Sequence, residues 1–181
     1  NLYKDIHDNK PPLLYLVAAV AGTQFWFRFI ALGWNVATVA LFGKLARKWW
    51  GGGDGAVWAT VLFAALTSLP FLEGNIANAE LFFLLPTVAA FGILWSGKGY
   101  GASVAAGGLY GLAALFKMPA ILEAGVWPIY WLMTGEKGGW KRIVAMGVGV
   151  AIPVGASLMY YKMAGVLPEY LIAAGGQNIP Y

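Results

Sequence analysis

Lys10 is followed directly by Pro11 and Pro12 and then by an apolar run. Two prolines suit a helix start, where a missing N–H costs little, and they fix the backbone just after the lysine. The ammonium is thereby held at the head of the helix with its three donors free, a compact contact for a lipid-linked phosphate. The plainer alternative is a snorkelling interfacial anchor. Further along, Glu73, Asn75, Asn78 and Glu80 place two carboxylates and two carboxamides within eight residues. Asn78 is placed to cap the following helix, and Glu80 to sit in its first turn, where the helix dipole favours a carboxylate. Capping does not require Glu73 and Asn75 as well. Such a group of hard oxygen donors could orient sugar hydroxyls or hold a divalent cation.

Lys117 interrupts an apolar run two residues before Pro119. A lysine there is costly unless it lies at an interface or in a cavity. It reads as a second phosphate contact or as a helix-end lysine, with Glu123 as a local partner. Arg28 lies four residues into an apolar span, where an arginine is functional or paired by default. His7 is the single histidine, so neither a zinc site nor a catalytic triad can be assembled around it, and it reads as a solvated loop residue. Cysteine is absent, which removes disulfides, thiolate metal sites and a thiol nucleophile.

The elements that must position these side chains follow from composition. The chain has 181 residues, 60% hydrophobic and 11% charged. Counting glycine and leaving out tyrosine, roughly 69% is apolar, against ~45–50% in soluble domains. A soluble domain of this size cannot hide that much apolar surface. Disorder, coiled coil and a nucleic-acid module each need many more charges. The expected class is an all-α, polytopic transmembrane helix bundle. Residues 1–10 form a polar loop segment and 11–22 an interfacial helix, too short to cross ~30 Å of hydrocarbon. Residues 23–162 form the bundle, with about six spans at 24–44, 56–72, 79–95, 102–116, 120–134 and 143–161, and 163–181 close the chain. Gly107 and Gly111 have the spacing that permits close helix contact.

The loops sort by charge. Lys44, Arg47, Lys48, Asp54, Lys98, Glu136, Lys137, Lys141 and Arg142 fall on one side, seven basic and two acidic, net +5. Lys4, Asp5, Asp8, Lys10, Glu73, Glu80, Lys117, Glu123, Lys162 and Glu169 fall on the other, four basic and six acidic, net −2. By the positive-inside rule the first side is cytoplasmic. Trp49, Trp50, Trp58, Trp95 and Trp140 lie near it, as an interfacial aromatic belt does. The candidate chemistry therefore gathers on the extracytoplasmic side of a plasma (inner) membrane, with Gln177 and Asn178 added from the tail.

Taken together, these residues resemble a known family. The segment from Tyr3 to Tyr15, centred on Lys10-Pro11-Pro12-Leu13, is similar to a Lys-Pro-Pro segment in the first extracytoplasmic loop of the dolichyl-phosphate-mannose–protein mannosyltransferase-like glycosyltransferases. This bacterial and archaeal group includes the lipid A aminoarabinose transferases. Arg28 resembles the arginine that opens the next span, Asn78-Ala79-Glu80 the acidic start of a later one, and Gly111 to Pro119 the family's turn from Gly to Lys-x-Pro. The resemblance runs from residue 3 to about 135.

It implies a GT-C fold and an inverting transfer of a hexose or pentose from a polyprenyl-phosphate carrier to a glycan, lipid or protein acceptor. Lys10, Lys117 and Arg28 would then contact the donor phosphate. Glu80, with Glu73, Asn75 and Asn78, would position the acceptor or a divalent cation. The family's catalytic acidic pair lies upstream of the Lys-Pro-Pro segment. The chain, which starts at Asn1, is accordingly expected to be a fragment whose base lies outside it; Asp5 and Asp8 are too close to Lys10 to be that pair. The competing expectations are a transporter or flippase for a lipid-linked or anionic solute, and a structural membrane subunit. Transporters often carry paired repeats and midplane charges, and neither is evident here.

Overall fold

The computed structural model describes residues 2–3, 10–69, 74 and 76–174. Helices are the only extended elements among them: α1 (Leu13–Ala21), α2 (Gln24–Trp49), α3 (Gly53–Leu66), α4 (Ala79–Ser96), α5 (Tyr100–Phe116), α6 (Ala120–Ala124), α7 (Val126–Thr134), α8 (Gly139–Met163) and α9 (Leu167–Ala174). Local chemistry sets most of the boundaries. Pro12 precedes α1, and Gly22 ends it in the left-handed region at φ 68°, where a side chain would be strained. Thr23 then caps α2 by accepting from the Trp26 N–H, while Arg47 and Lys48 occupy the last turn, where the helix dipole favours cations.

Three helices, α2, α4 and α8, are long and apolar enough to cross a membrane. Two more, α3 and α5, are apolar and shorter, at 14 and 17 residues. The stretch expected as one span over 120–134 is divided into α6 and α7. Pro128 explains the division. It has no N–H to offer the Ala124 carbonyl four residues back, and α6 ends at Ala124.

The chain runs back and forth between two ends. At one, the basic end, the Lys48 ammonium at the foot of α2 donates to Ser96 Oγ at the foot of α4 (2.7 Å), and Arg142 at the head of α8 reaches the Gly97 carbonyl (3.0 Å). At the other, Glu80 opening α4 meets Lys117 closing α5, and Tyr3 packs edge-on against Tyr161 late in α8. This alternation matches the sorting of charges along the sequence.

The central seam is α5 against α8. A Cβ on Gly107 or Gly111 would lie closer than 3.0 Å to the carbonyls of Met146 or Val150, and one on Gly149 would strike that of Val104. The two backbones therefore touch where the glycine spacing permits it. Around the seam, Ala90 and Leu94 of α4, Tyr110 of α5, Trp127 and Trp131 of α7 and Met146 of α8 form one buried cluster. A second cluster joins Leu14 of α1, Ala31 of α2, Ala79 and Phe82 of α4 and Phe116 of α5. Phe25, Phe29, Leu32 and Val36 of α2, and Val144, Val148 and Ile152 of α8, stay exposed, as a lipid-facing surface would.

Candidate functional site

Phe82 lies at the centre of the second cluster, fully buried, and Pro86 determines its surroundings. Being a proline, Pro86 cannot donate to the Phe82 carbonyl four residues earlier. The Trp34 indole N–H fills that role across 2.9 Å, which ties α2 to α4. The Phe82 ring then stacks between Phe27 (centroids 5.7 Å apart) and Phe116 (5.5 Å). This aromatic floor fixes the end of α5, and Lys117 follows Phe116 directly.

Above the floor, Asn78 Oδ1 accepts from the Leu81 N–H at 3.3 Å and caps α4, as its position in the sequence suggests. Glu80 is in the first turn. The Lys117 ammonium forms an ion pair with Glu80 Oε1. Both side chains remain more than a third exposed, so the pair is reachable from outside the protein. Lys117 has left the helix, with φ −152° and ψ 118°. Its direction is set by that extended backbone, and its partner comes from α4 rather than from Glu123 in the neighbouring turn.

Lys10 joins the same end through α1. Leu13 and Leu14 pack into the cluster containing Ala79, Phe82 and Phe116, and Leu13 lines a cavity of 290 Å³ with Phe116. Two residues separate Lys10 from Leu13, so its Cα lies within three Cα–Cα steps, roughly 11 Å, of Leu13 by chain length alone. The Lys10 carbonyl accepts from Tyr3 Oη at 2.8 Å, and the side chain is half-buried, with no ion pair among the described residues.

Arg28 borders a separate cavity of 290 Å³ shared with Asn35, Ser68, Gly74, Ala77 and Leu81. Its guanidinium has no ionic or hydrogen-bonding partner among the described residues. In the same cavity Asn35 Nδ2 donates to the Thr67 carbonyl at 3.4 Å, while its buried Oδ1 has no partner. Leu81, which lines this cavity, follows Glu80 in the first turn of α4. Glu73 and Asn75 flank Gly74 in sequence and lie outside the described residues, as do Asp5, His7, Asp8, Gln177 and Asn178.

Lys10, Arg28, Asn78, Glu80 and Lys117 thus come to one end of the bundle from four different helices or their caps. Among the described residues no group of three or more His, Cys, Asp or Glu is placed to hold a metal. Asn78 Oδ1 and one oxygen of Glu80 already have donors, which a divalent cation would have to displace.

Three structural residues were not distinguished in the sequence. For Trp34 the signal is Pro86, four residues after Phe82, which announces a free carbonyl; Asn35, which donates to the Thr67 carbonyl, has no such signal. Arg142 looked like any other loop cation. Its helical phase with Met146 and Gly149, one turn and two turns on, was the available sign that it faces the α5 seam.

No protein family's profile matches this chain, and no curated protein or solved structure was found that matches it.

Proposed function

We propose that this chain is part of a multi-pass membrane glycosyltransferase that takes a sugar from a polyprenyl-phosphate carrier at the end bearing Lys10, Arg28, Glu80 and Lys117. The supporting observation is the Glu80–Lys117 pair, seated on the Phe27–Phe82–Phe116 stack beside the helix headed by Lys10-Pro11-Pro12. It joins charged residues 37 positions apart at a reachable apolar-to-polar boundary. There a carrier's phosphate can meet cations while its chain stays in hydrocarbon.

Negative charge accumulates on the carrier phosphate as the glycosidic bond breaks, and fixed cations at that spot lower the barrier. Within the pair Lys117 is already compensated, so among the described residues Lys10 and Arg28 carry the positive charge that no carboxylate meets. Glu80 holds Lys117 in place and offers its second oxygen to an acceptor hydroxyl. No carboxylate of this chain is assigned as the general base. The side of the membrane is inferred from the sorting of loop charges along the sequence: net −2 in the group that contains Lys10, Glu80 and Lys117 and net +5 in the other, so that by the positive-inside rule the first group is extracytoplasmic.

The test uses the full-length protein in lipid nanodiscs with a radiolabelled polyprenyl-phosphate sugar and its acceptor. Lys10→Ala should lower transfer about tenfold or more, the loss expected when one charge-assisted contact to the departing phosphate is removed. Unchanged transfer removes Lys10 from the reaction. The divided α6–α7 segment favours a second reading, since broken helices are common in transporters. A flippase would move the intact carrier between leaflets without releasing the sugar, and the same assay distinguishes the two.

A further inference from the structure

Among the described residues Tyr3 is the one non-glycine with a positive φ, at 71°. Side chains disfavour that region, and a tyrosine stays in it only where its surroundings impose it. Here the surroundings are aromatic. Tyr3 is 1% exposed, and its ring meets Tyr15 of α1 edge-on (centroids 6.4 Å apart), Tyr161 of α8 edge-on (5.3 Å) and Tyr170 of α9 at a tilt (5.3 Å). Tyr161 and Tyr170 stack on each other at 4.5 Å, and Ser157 Oγ donates to Tyr170 Oη at 3.2 Å. Three helices thus hold one ring.

Packing accounts for the ring, and a phenylalanine would fill the same space. The hydroxyl has a separate destination, the Lys10 carbonyl at 2.8 Å. That carbonyl has few local donors to draw on. Pro11 and Pro12 follow it, and neither carries an N–H. The helical ladder of α1 starts only at Pro12, whose carbonyl accepts from the Leu16 N–H. The donor for Lys10 therefore comes from seven positions upstream. Proline also restricts the residue before it to extended conformations. With its carbonyl tied as well, the Lys10 peptide plane is fixed, and so is the direction in which the side chain leaves the backbone.

We propose that Tyr3 is a positioning residue for Lys10: its hydroxyl, anchored through the tyrosine cage of α1, α8 and α9, sets the lysine–diproline corner for contact with the donor phosphate. The inference rests on the reading of Lys10 as a phosphate contact. A cation ordered before the donor arrives need not be ordered at the moment of reaction, which is where preorganisation lowers a barrier. In consequence α8 and α9, which supply none of the residues proposed to contact the donor, act on transfer through Tyr3.

Tyr3→Phe keeps every ring contact and removes only the donor. In the full-length protein in nanodiscs, assayed with the radiolabelled polyprenyl-phosphate sugar, it should lower transfer about fivefold, the equivalent of one neutral hydrogen bond. The melting temperature should fall by less than about 4 °C. The deciding readout is a double-mutant cycle. If the hydroxyl acts through Lys10, adding Tyr3→Phe to Lys10→Ala should change transfer by less than about twofold. A purely structural tyrosine lowers transfer by the same factor in both backgrounds, and that result would overturn the proposal. Full activity of Tyr3→Phe, or loss of its folded peak in size-exclusion chromatography, would overturn it too. Unchanged transfer with Lys10→Ala alone sinks the proposed site itself, whereas a loss with Lys10→Ala but none with Tyr3→Phe sinks only the role of Tyr3.

Discussion

Arg142 and Lys117 are both cations paired with a glutamate at a helix end, and they are held in opposite ways. Arg142 is 4% exposed and uses all three guanidinium nitrogens, reaching α4, α5 and the loop before α8 at once. Lys117 is 38% exposed on its side chain and has one partner. A buried, saturated cation is part of the scaffold, because removing it strands several polar groups. A reachable cation with a single partner can exchange that partner for a ligand at little cost. Arg142 is therefore built to stay fixed, while Lys117 keeps its charge available.

The largest test of this contrast is Arg142→Ala. It leaves Glu136, Ser103 and the Gly97 carbonyl without their donor and should destabilise the protein by about 3–5 kcal/mol. Chemical denaturation in detergent, or loss of the folded peak in size-exclusion chromatography, reads the effect; a change under about 1 kcal/mol would mean the network is not structural. Next comes the seam that connects the two ends. Gly149→Val sets a side chain against the Val104 carbonyl and the Gly108 amide, backbone atoms that cannot move aside, and should cost about 2–3 kcal/mol.

Trp34→Phe should cost about 1–3 kcal/mol, because Pro86 leaves the Phe82 carbonyl with no other donor in its helix. Trp34→Phe combined with Pro86→Ala, which restores that donor, should recover part of the loss. The smallest stability effect belongs to Lys117→Met, at about 0–1 kcal/mol. The same substitution should reduce sugar transfer far more than it reduces the melting temperature. The charge swap Glu80→Lys with Lys117→Glu should keep the pair and the fold while leaving transfer depressed. If the swap restores transfer, the pair is only a strut and the contrast between the two ends fails.

Much of this architecture was legible along the chain. Capping of α4 by Asn78, entry into α1 after Pro11-Pro12 and close contact at Gly107 and Gly111 depend on backbone chemistry within a few residues, which a sequence displays directly. The interruption at Ala124 was equally local, since Pro128 dictates it, yet an apolar run of 15 residues from 120 to 134 masked it in the hydropathy pattern. For the candidate site, the residue types and the shared end were readable. The pairing was not: Glu123 is six positions from Lys117, and Glu80 is 37 away.

Composition and loop charge by themselves determined that this chain makes apolar helices with two electrostatically distinct ends, because every helix end places its flanking residues on one side or the other. Which cation is locked and which stays available was decided only in three dimensions. Helical phase turns Arg142 toward the close α5–α8 seam, where its donors meet Glu136, Ser103 and the Gly97 carbonyl. Lys117 leaves its helix at a proline-bounded turn, and the direction of that turn, along with the carboxylate it meets, depends on how α4 packs against α5.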